Sequence, residues 1–295
     1  MSEEQNDQYF IHSDVFLSTE DKTNDGKSFK NSIQFFILLN EKHEDITIDD
    51  DGDPDLYRPE RIDLTLVHRN ETNISECGYQ LWNGALLLCD YILTNQFRFL
   101  NKTILELGAG IGLCSLIASR YVLKIICTDY DNDLLEVIKQ NIEINDAICK
   151  KECIEIQKFD WKQFNSNEID NHIEIILVAD VIYDDDLTDA LFNVFTKLFQ
   201  DKLNLHSIYI TIEKRINFYL DTLSIQCPAY EYFLEKLNQF KIDFPLLIIE
   251  EINTDLKSIK QCTTIYKRTK ELVKTKKKIL SFFVFFYLFK FFYLF

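Results

Sequence analysis

The chain has 295 residues, 46% of them hydrophobic, which is enough for one large folded domain with extensions. Acidic residues outnumber basic ones by 48 to 32, and the formal net charge of −16 repels phosphate backbones, which argues against nucleic acid as a direct partner. The eight cysteines are scattered, without a Cys-x-x-Cys pair or neighbouring histidines. This usage indicates buried thiols in a reducing compartment, and it argues against a metal site or a disulfide framework.

The composition of the first quarter of the chain predicts a flexible N-terminus followed by two strands. Residues 1–28 are polar and acidic, so we expect no secretory signal there, whereas residues 32–39 and 64–68 have the composition of strands. We therefore expect a flexible acidic N-terminus over residues 1–28 and a small β extension over residues 29–70. The aspartates of residues 49–55 resemble part of a calcium loop, but the pattern is incomplete and favours a solvated acidic turn.

A glycine-rich loop between two apolar runs is the central feature of the sequence. Residues 103–107 read as a strand, and Gly108, Gly110 and Gly112 follow at alternate positions before a helical pattern. A second strand, residues 122–127, leads to Asp129, about twenty residues beyond the loop, where a carboxylate would accept hydrogen bonds from ribose hydroxyls. This order predicts a β-α-β cradle for a nucleotide-type cofactor, although a plain strand–turn–helix has the same local pattern.

The residues around the glycines narrow the kind of cofactor. The spacing differs from the G-x-G-x-x-G pattern of dinucleotide sites, and Glu106 lies two residues before the first glycine. A carboxylate beside the loop would repel a phosphate and suits a cationic ligand. S-adenosylmethionine, which carries a sulfonium and an ammonium group, fits this description.

Three further stretches provide candidates for the site. Residues 79–93 have helical spacing, which favours a core position for Trp82 over a place in the cofactor pocket. Asp160 and Trp161 follow a short strand at residues 153–157 and fit either an adenine contact or an exposed turn with an anchoring tryptophan. Residues 173–179 read as a central strand, so Asp180 and Tyr183 should face the reacting end of the cofactor.

Alternation of strands and helices predicts an α/β fold: a seven-stranded, doubly wound, Rossmann-like sheet. The remaining predicted helices and strands are helices 132–145, 187–199 and 229–240 and strands 206–213, 245–249 and 262–266. The last two strands would form a closing antiparallel hairpin. The charged residues 213–215 at the same sheet edge are either solvated or part of the rim of the site.

The C-terminal residues 271–295 have an unusual composition, a basic segment followed by a phenylalanine-rich run. The apolar run from residue 279 to residue 295 is interrupted by Lys290. As a helix it would be about 25 Å long, short of the roughly 30 Å hydrocarbon core of a bilayer. We expect low-complexity sequence outside the domain, with a membrane tail anchor as the alternative.

Four motifs in this order resemble the methyltransferase-like protein-lysine methyltransferases, a family of seven-β-strand class I enzymes. They are LWNGALLLCDYIL from residue 81, LELGAGIGL from residue 105, the dipeptide DW at residue 160, and ADVIYDDDLTDALF from residue 179. The resemblance extends over residues 14–270 and implies a methyltransferase domain over residues 71–270. It implies a nuclear or cytosolic enzyme that uses S-adenosylmethionine to methylate a lysine of a partner protein.

The resemblance also implies roles for individual residues. The family's cofactor contacts fall on Trp82, Gly108, Ala109, Gly110, Asp129, Trp161 and Ala179. Its catalytic motif falls on Asp180, which would orient the target ammonium, and on Tyr183, which would shape the lysine channel. The alternatives are a catalytically silent cofactor-binding scaffold and a small-molecule methyltransferase. A nucleobase methyltransferase is disfavoured, because the Asn/Asp-Pro-Pro-aromatic tetrapeptide of such enzymes is replaced here by Asp-Val-Ile-Tyr.

Overall fold

The structure, a computed structural model, describes residues 11–12, 21–22, 27–37, 60–215, 217–219, 224–252 and 281–288. The strands are β1 (Ile11–His12), β2 (Asp21–Lys22), β3 (Phe29–Ile37), β4 (Glu60–His68), β5 (Glu71–Thr72), β6 (Thr103–Leu107), β7 (Lys124–Asp129), β8 (Ile154–Lys158), β9 (Ile175–Ala179), β10 (Ser207–Glu213), β11 (Asn217–Tyr219), β12 (Ser224–Gln226), β13 (Leu247–Ile252) and β14 (Ser281–Leu288). The α-helices are α1 (Asn83–Thr94), α2 (Gln96–Phe99), α3 (Leu113–Ala118), α4 (Asn132–Ile144), α5 (Asp185–Asp201) and α6 (Pro228–Asp243).

The central sheet confirms the predicted α/β fold. Its order is β13-β14-β10-β9-β6-β7-β8, and the five strands from β10 to β8 are parallel. Strands β6 and β10 are buried along their whole length, as expected for parallel strands covered by helices on both faces. The strand order reverses between β6 and β9, and the crevice at the carboxyl ends of these two strands is where open α/β sheets bind their ligands.

The C-terminal edge of the sheet differs from the prediction. Strand β14 pairs antiparallel with β10 on one side and with β13 on the other. The expectation that residues 271–295 lie outside the domain is therefore wrong for Ser281–Leu288. A continuous apolar run fits a strand of a sheet as well as it fits a tail, and composition alone does not separate the two. The predicted strand at residues 262–266 lies outside the described residues.

No helix within the described part of the chain is both long and apolar enough to cross a membrane.

Helix α1 begins four residues later than its apolar pattern predicts. A 3-10 helix, Ile74–Tyr79, precedes it, and Trp82 occupies the N-cap with extended backbone angles, φ −108° and ψ 146°. Because Trp82 lies before the first helical turn, its side chain leaves the apolar stripe of α1. This backbone break explains why helical spacing wrongly favoured a core position for Trp82.

The predicted N-terminal strands 32–39 and 64–68 are present as the antiparallel pair β3 and β4. Strand β2 also pairs with β3, and β1 pairs with β5, so short strands occur before residue 32, where none was predicted. The hairpin of β11 and β12 was not predicted either. The acidic stretch at residues 49–55 lies outside the described residues.

Two asparagines of α4 bind the outer edge of β4 in place of a further strand. Asn141 accepts a hydrogen bond from the N–H of Val67 at 2.7 Å, and Asn145 accepts one from the N–H of Thr65 at 2.9 Å. Their amide groups donate back to the carbonyls of the same residues. Asn141 also donates to the carbonyl of Ile111 in the glycine loop, at 3.0 Å. The β extension and the loop are therefore joined through one buried side chain.

We expect Asn141→Ala to lower the free energy of unfolding by about 2–4 kcal/mol, because buried backbone groups of Val67 and Ile111 lose their partners. Chemical denaturation of the purified chain measures this difference. Gln140→Ala, on the exposed face of the same helix, is the matched control and should stay within about 0.5 kcal/mol of the parent. Equal losses in both variants would contradict this role of Asn141.

Candidate active site

A cavity of about 440 Å³ opens at the carboxyl ends of β6, β7 and β9, within the size range of small-molecule sites. It lies at the switch point of the sheet, where the sequence placed the cofactor. Eight of the ten predicted site residues line it: Trp82, Gly108, Gly110, Asp129, Trp161, Ala179, Asp180 and Tyr183. The motifs therefore meet in one cavity although they are spread over a hundred residues of the chain.

The glycine loop is held in a conformation that only glycine adopts easily. Gly108 has a φ of +67° and Gly110 a φ of +56°. A Cβ atom on Gly108 would lie 2.9 Å from Val181 and 3.1 Å from the ring of Trp161, and a Cβ on Gly110 would lie 3.0 Å from the carbonyl oxygen of Gly78. Both glycines thus keep open a slot that a larger residue would fill.

Asp129 ends β7 with its carboxylate fixed by backbone donors. Its Oδ2 accepts a hydrogen bond from the N–H of Gly110 at 3.0 Å, and its Oδ1 accepts one from the N–H of Tyr130 at 2.8 Å. Burial raises its pKa to about 6, against the lowering effect of these bonds. A carboxylate has about four acceptor sites, so that of Asp129 keeps acceptor capacity for the ribose of a ligand.

Glu106 and Ala109, the other two predicted cofactor contacts, are not among the described residues that line the cavity. The Glu106 carboxylate is buried and accepts a hydrogen bond from Ser115 of α3. The N–H of Ala109 donates to the carbonyl of Thr128 at 2.9 Å, which ties the loop to β7. Burial raises the pKa of Glu106 to about 7, as expected for a carboxyl group behind the loop. The argument that Glu106 itself repels a phosphate is therefore not supported.

One wall of the cavity comes from a segment to which the sequence interpretation gave no role. The 3-10 helix Ile74–Tyr79 lines the cavity and is fastened on three sides. The Cys77 carbonyl accepts from the indole of Trp82 at 2.9 Å, the Ser75 carbonyl accepts from the Tyr130 hydroxyl at 3.0 Å, and the Tyr79 hydroxyl donates to Asp131 at 3.2 Å. Short irregular segments show no periodicity, so the only signal in the sequence was its position just before α1.

Trp161 lies beside Gly108 of the loop, at the start of the 3-10 helix Trp161–Gln163. Asp160 caps this turn, because its side chain accepts from the N–H of Lys162 at 2.9 Å. The cap fixes the backbone of Trp161, whose ring then packs against the face of the glycine loop. A planar group entering the slot would have the Trp161 ring beside it, as the adenine interpretation requires.

Asp180 has the most constrained backbone of the site. It directly follows β9 with a φ of +57°, and its N–H donates to the carbonyl of Thr211 at 2.9 Å. Its carboxylate accepts from the N–H of Gly84 at 3.4 Å and from the N–H of Glu213 at 3.3 Å. A Cβ on Gly84 would lie 2.6 Å from the Cβ of Asp180, so a glycine is needed at the start of α1. The carboxylate is thereby fixed between three elements.

Tyr183 also lines the cavity, and its hydroxyl lies close to the Cys77 thiol. Burial is the main cause that raises its pKa above the ordinary value, and the neighbouring thiol adds to this effect. Burial likewise raises the pKa of the Cys77 thiol. Both groups therefore stay protonated and neutral near pH 7, which makes Tyr183 a wall and a donor and excludes it as a base.

The charges on the cavity wall test whether S-adenosylmethionine fits. Six carboxylates line the cavity: Glu76, Asp129, Asp131, Asp160, Asp180 and Asp184. Among the described lining residues the one cationic side chain is Lys162. A wall of this kind attracts a sulfonium and an ammonium group and repels a diphosphate. The charge argument first made for Glu106 therefore holds for the wall as a whole.

We expect cofactor affinity to depend on pH through Asp129. Its pKa of about 6 means that the free protein takes up a proton as the pH falls through 6, and the protonated group loses acceptor capacity for ribose hydroxyls. The dissociation constant, measured by calorimetry, should be level above pH 7 and rise about ten-fold per pH unit well below 6. The Asp129→Asn variant should bind the cofactor weakly at every pH, and its dissociation constant should not rise below pH 6. A rise that persists in the variant would assign the titration to another group, such as Glu106.

The fold and the cavity define a class I, Rossmann-like α/β protein with a site for a cationic nucleoside ligand. Residues 61–238 match the lysine methyltransferase family, and the chain belongs to this family. Its membership confirms the family predicted from the motifs, with S-adenosylmethionine as the methyl donor.

Several curated proteins are similar to the chain. Methyltransferase-like protein 22 of Homo sapiens is 31% identical over 277 residues, which cover 85% of this chain and 64% of that protein. Methyltransferase-like protein 22 of Mus musculus is 32% identical over 232 residues, covering 71% and 57%. The protein-lysine methyltransferase METTL21E of Mus musculus is 29% identical over 147 residues, covering 48% and 60%. The chain spans less than two thirds of each of these relatives.

Proposed function

We propose that the chain transfers a methyl group from S-adenosylmethionine to the side-chain amine of a lysine in a partner protein. The observation that carries this proposal is the buried carboxylate of Asp180, which lines the cofactor cavity together with the aromatic side chains of Trp82 and Tyr183. A cavity that combines a carboxylate with aromatic rings suits an organic cation such as a lysine ammonium. The names of the relatives support lysine as the acceptor.

We assign the two ends of the cavity different roles: one end binds the cofactor and the other binds the target lysine. At the donor end, Asp129 accepts the ribose hydroxyls, Gly108 and Gly110 let the ligand approach the backbone, and Trp161 covers the adenine. When bound, the cofactor supplies an electrophilic methyl group on a positively charged sulfur. At the acceptor end, Asp180 orients the ammonium, and Trp82 and Tyr183 shield it from water.

The acceptor amine must be neutral to react, whereas a lysine in water has a pKa near 10.4. Burial among aromatic rings favours the neutral amine, while the carboxylate of Asp180 favours the ammonium. Asp180 therefore serves to capture and aim the cation, and the proton leaves to solvent before transfer. Alignment of amine and methyl group at close distance supplies most of the acceleration, so a strong general base is not required.

We further propose that the partner is a protein of the nucleus or cytosol, which the cysteine usage supports, and that nucleic acid does not bind directly, which the net charge supports.

Labelling with radioactive S-adenosylmethionine tests the activity. The purified chain is incubated with nuclear and cytosolic extracts, and labelled bands are identified by mass spectrometry. We expect label on lysine side chains of one or a few proteins, and no such label with Asp180→Asn. If cofactor binds in calorimetry but neither extract contains a labelled protein, a cofactor-binding scaffold or a small-molecule methyltransferase replaces the proposal.

A further inference from the structure

A cation of the chain itself lies at the acceptor end of the cavity. Arg215 follows β10, and its Nη2 lies 3.4 Å from Oδ1 of Asp180. The same guanidinium lies over the ring of Trp82, with its carbon 4.7 Å from the ring centre. Asp180 and Trp82 are the two groups that a target lysine would need, one for its charge and one for its cation–π contact. Arg215 thus already makes the contacts proposed for the substrate.

The neighbouring charged residues make contacts of their own. The ammonium of Lys214 lies 4.2 Å from the ring centre of Tyr230. The side chain of Glu213 is nearly buried and accepts from the amide of Asn83 at 3.4 Å. Within the charged trio at residues 213–215, the side chain of Arg215 contacts both Asp180 and Trp82.

The contact is weak enough to be exchanged. A charge-assisted hydrogen bond is about 2.7–2.9 Å long, so a distance of 3.4 Å marks a loose pair. The Arg215 side chain is 35% exposed, whereas that of Asp180 is 1% exposed. Since Asp180 packs closely against Gly84 and its backbone N–H donates to the Thr211 carbonyl at 2.9 Å, its side chain stays in place if the arginine leaves. It would then need another cation, because a buried carboxylate without a partner is costly.

We propose that Arg215 occupies the acceptor position in the resting enzyme, and that the target lysine enters by displacing its guanidinium from Asp180 and Trp82. This inference rests on the proposed function, because it names the residue that the substrate replaces. The exchange of one cation for another favours ammonium-bearing side chains, since a neutral side chain would leave Asp180 unpaired. Arg215 is therefore a specificity-determining residue, and its position limits access of the lysine.

Binding of a small amine to the cofactor-free protein tests the exchange directly. The probe is n-butylammonium, which reproduces the end of a lysine side chain, and its dissociation constant is measured by ligand-observed NMR. We expect Arg215→Gln to bind it about ten-fold more tightly than the parent, since no guanidinium has to be displaced from the carboxylate and the ring. Adding Asp180→Asn should remove this gain.

A matched control separates this effect from a general loss of positive charge. Lys139 is also cationic and pairs with a carboxylate, Glu136 at 3.8 Å, on the exposed face of α4, and neither residue is among the described lining residues. Lys139→Gln should leave the affinity for butylammonium unchanged. If Arg215→Gln binds the amine no better than the parent does, the inference is overturned, whatever the chain methylates.

A second variant uses the chain as its own acceptor. In Arg215→Lys, a lysine side chain stands where the guanidinium was, and incubation with labelled S-adenosylmethionine should place a methyl group on position 215. The neutral amine attacks the methyl carbon, the carbon–sulfur bond breaks with its electron pair remaining on sulfur, and one amine proton passes to solvent. Tryptic mass spectrometry distinguishes position 215 from Lys214.

The two readouts separate the inference from the proposed function. If the parent labels extract proteins but Arg215→Lys carries no methyl group at position 215, the inference fails while the function stands. If the parent labels nothing, the function fails, and the butylammonium titration still decides whether Arg215 covers the cation site. Thermal unfolding of each variant confirms that a changed result does not come from loss of folded protein.

Discussion

Asp180→Asn should reduce methyl transfer at least about a hundred-fold while the cofactor still binds. The substitution keeps the size of the side chain but removes the negative charge that captures and orients the ammonium. It also places the amide NH2 group against one of the two backbone donors, Gly84 N–H or Glu213 N–H, from which the carboxylate accepts in the parent. Loss of a positioning charge in a water-poor site costs about this much in rate.

Two assays measure the prediction for Asp180. Single-turnover transfer to a substrate from the extract labelling gives the rate, and calorimetry gives the affinity for S-adenosylmethionine. Asp185→Asn is the matched control, because Asp185 is exposed in the first turn of α5 and is not among the described lining residues. It should transfer at the parental rate. Parental activity in Asp180→Asn would remove Asp180 from the mechanism.

The positions of the main site residues followed from the sequence because of one property of parallel sheets. The glycine loop, Asp129 and Asp180 each directly follow or end a strand whose apolar run is evident. Parallel strands present their carboxyl ends at the same edge, so local motifs far apart in the chain meet there. The carboxyl ends of the predicted strands were therefore sufficient to predict where the cavity lies.

The orientation of Glu106 could not be derived in the same way. Glu106 lies within a strand, where successive side chains face opposite sides of the sheet, and both faces of β6 are covered. Whether its carboxylate faces the ligand or a helix depends on the packing of α3, which supplies the Ser115 hydroxyl. A motif fixes the place of a residue along the chain but leaves the direction of its side chain open.

Two further features could not be predicted from the sequence. They are the cavity wall formed by Ile74–Tyr79 and the pairing of Arg215 with Asp180. The 3-10 helix has no apolar period, and its place over the cavity depends on bonds to Trp82 and Tyr130. Arg215 was recognised only as part of a charged trio at the sheet edge, solvated or on the rim. Which of three adjacent charged side chains reaches Asp180 is decided by side-chain packing around the end of β10.

Gly110→Ala should weaken S-adenosylmethionine binding at least about a hundred-fold, which corresponds to about 3 kcal/mol. An alanine at a φ of +56° carries about 1–2 kcal/mol of backbone strain. Its Cβ would also lie 3.0 Å from the carbonyl oxygen of Gly78, a backbone atom of the opposite wall. Relief of this contact moves the loop and breaks the bond from Gly110 N–H to Asp129, so the ribose acceptor loses its orientation.

Gly112→Ala is the control that separates strain from binding. Gly112 has a similar left-handed φ of +83°, but its Cβ would meet a side-chain methyl of Ile138 at 3.0 Å, and it is not among the described lining residues. Both variants should lose about 1–2 kcal/mol of stability in chemical denaturation, whereas calorimetry should show lost cofactor affinity for Gly110→Ala alone. If both bind the cofactor as the parent does, the loop is only a turn. If both variants lose cofactor affinity equally, backbone strain in the loop is sufficient to explain the loss. The contact between position 110 and the carbonyl of Gly78 is then not the cause.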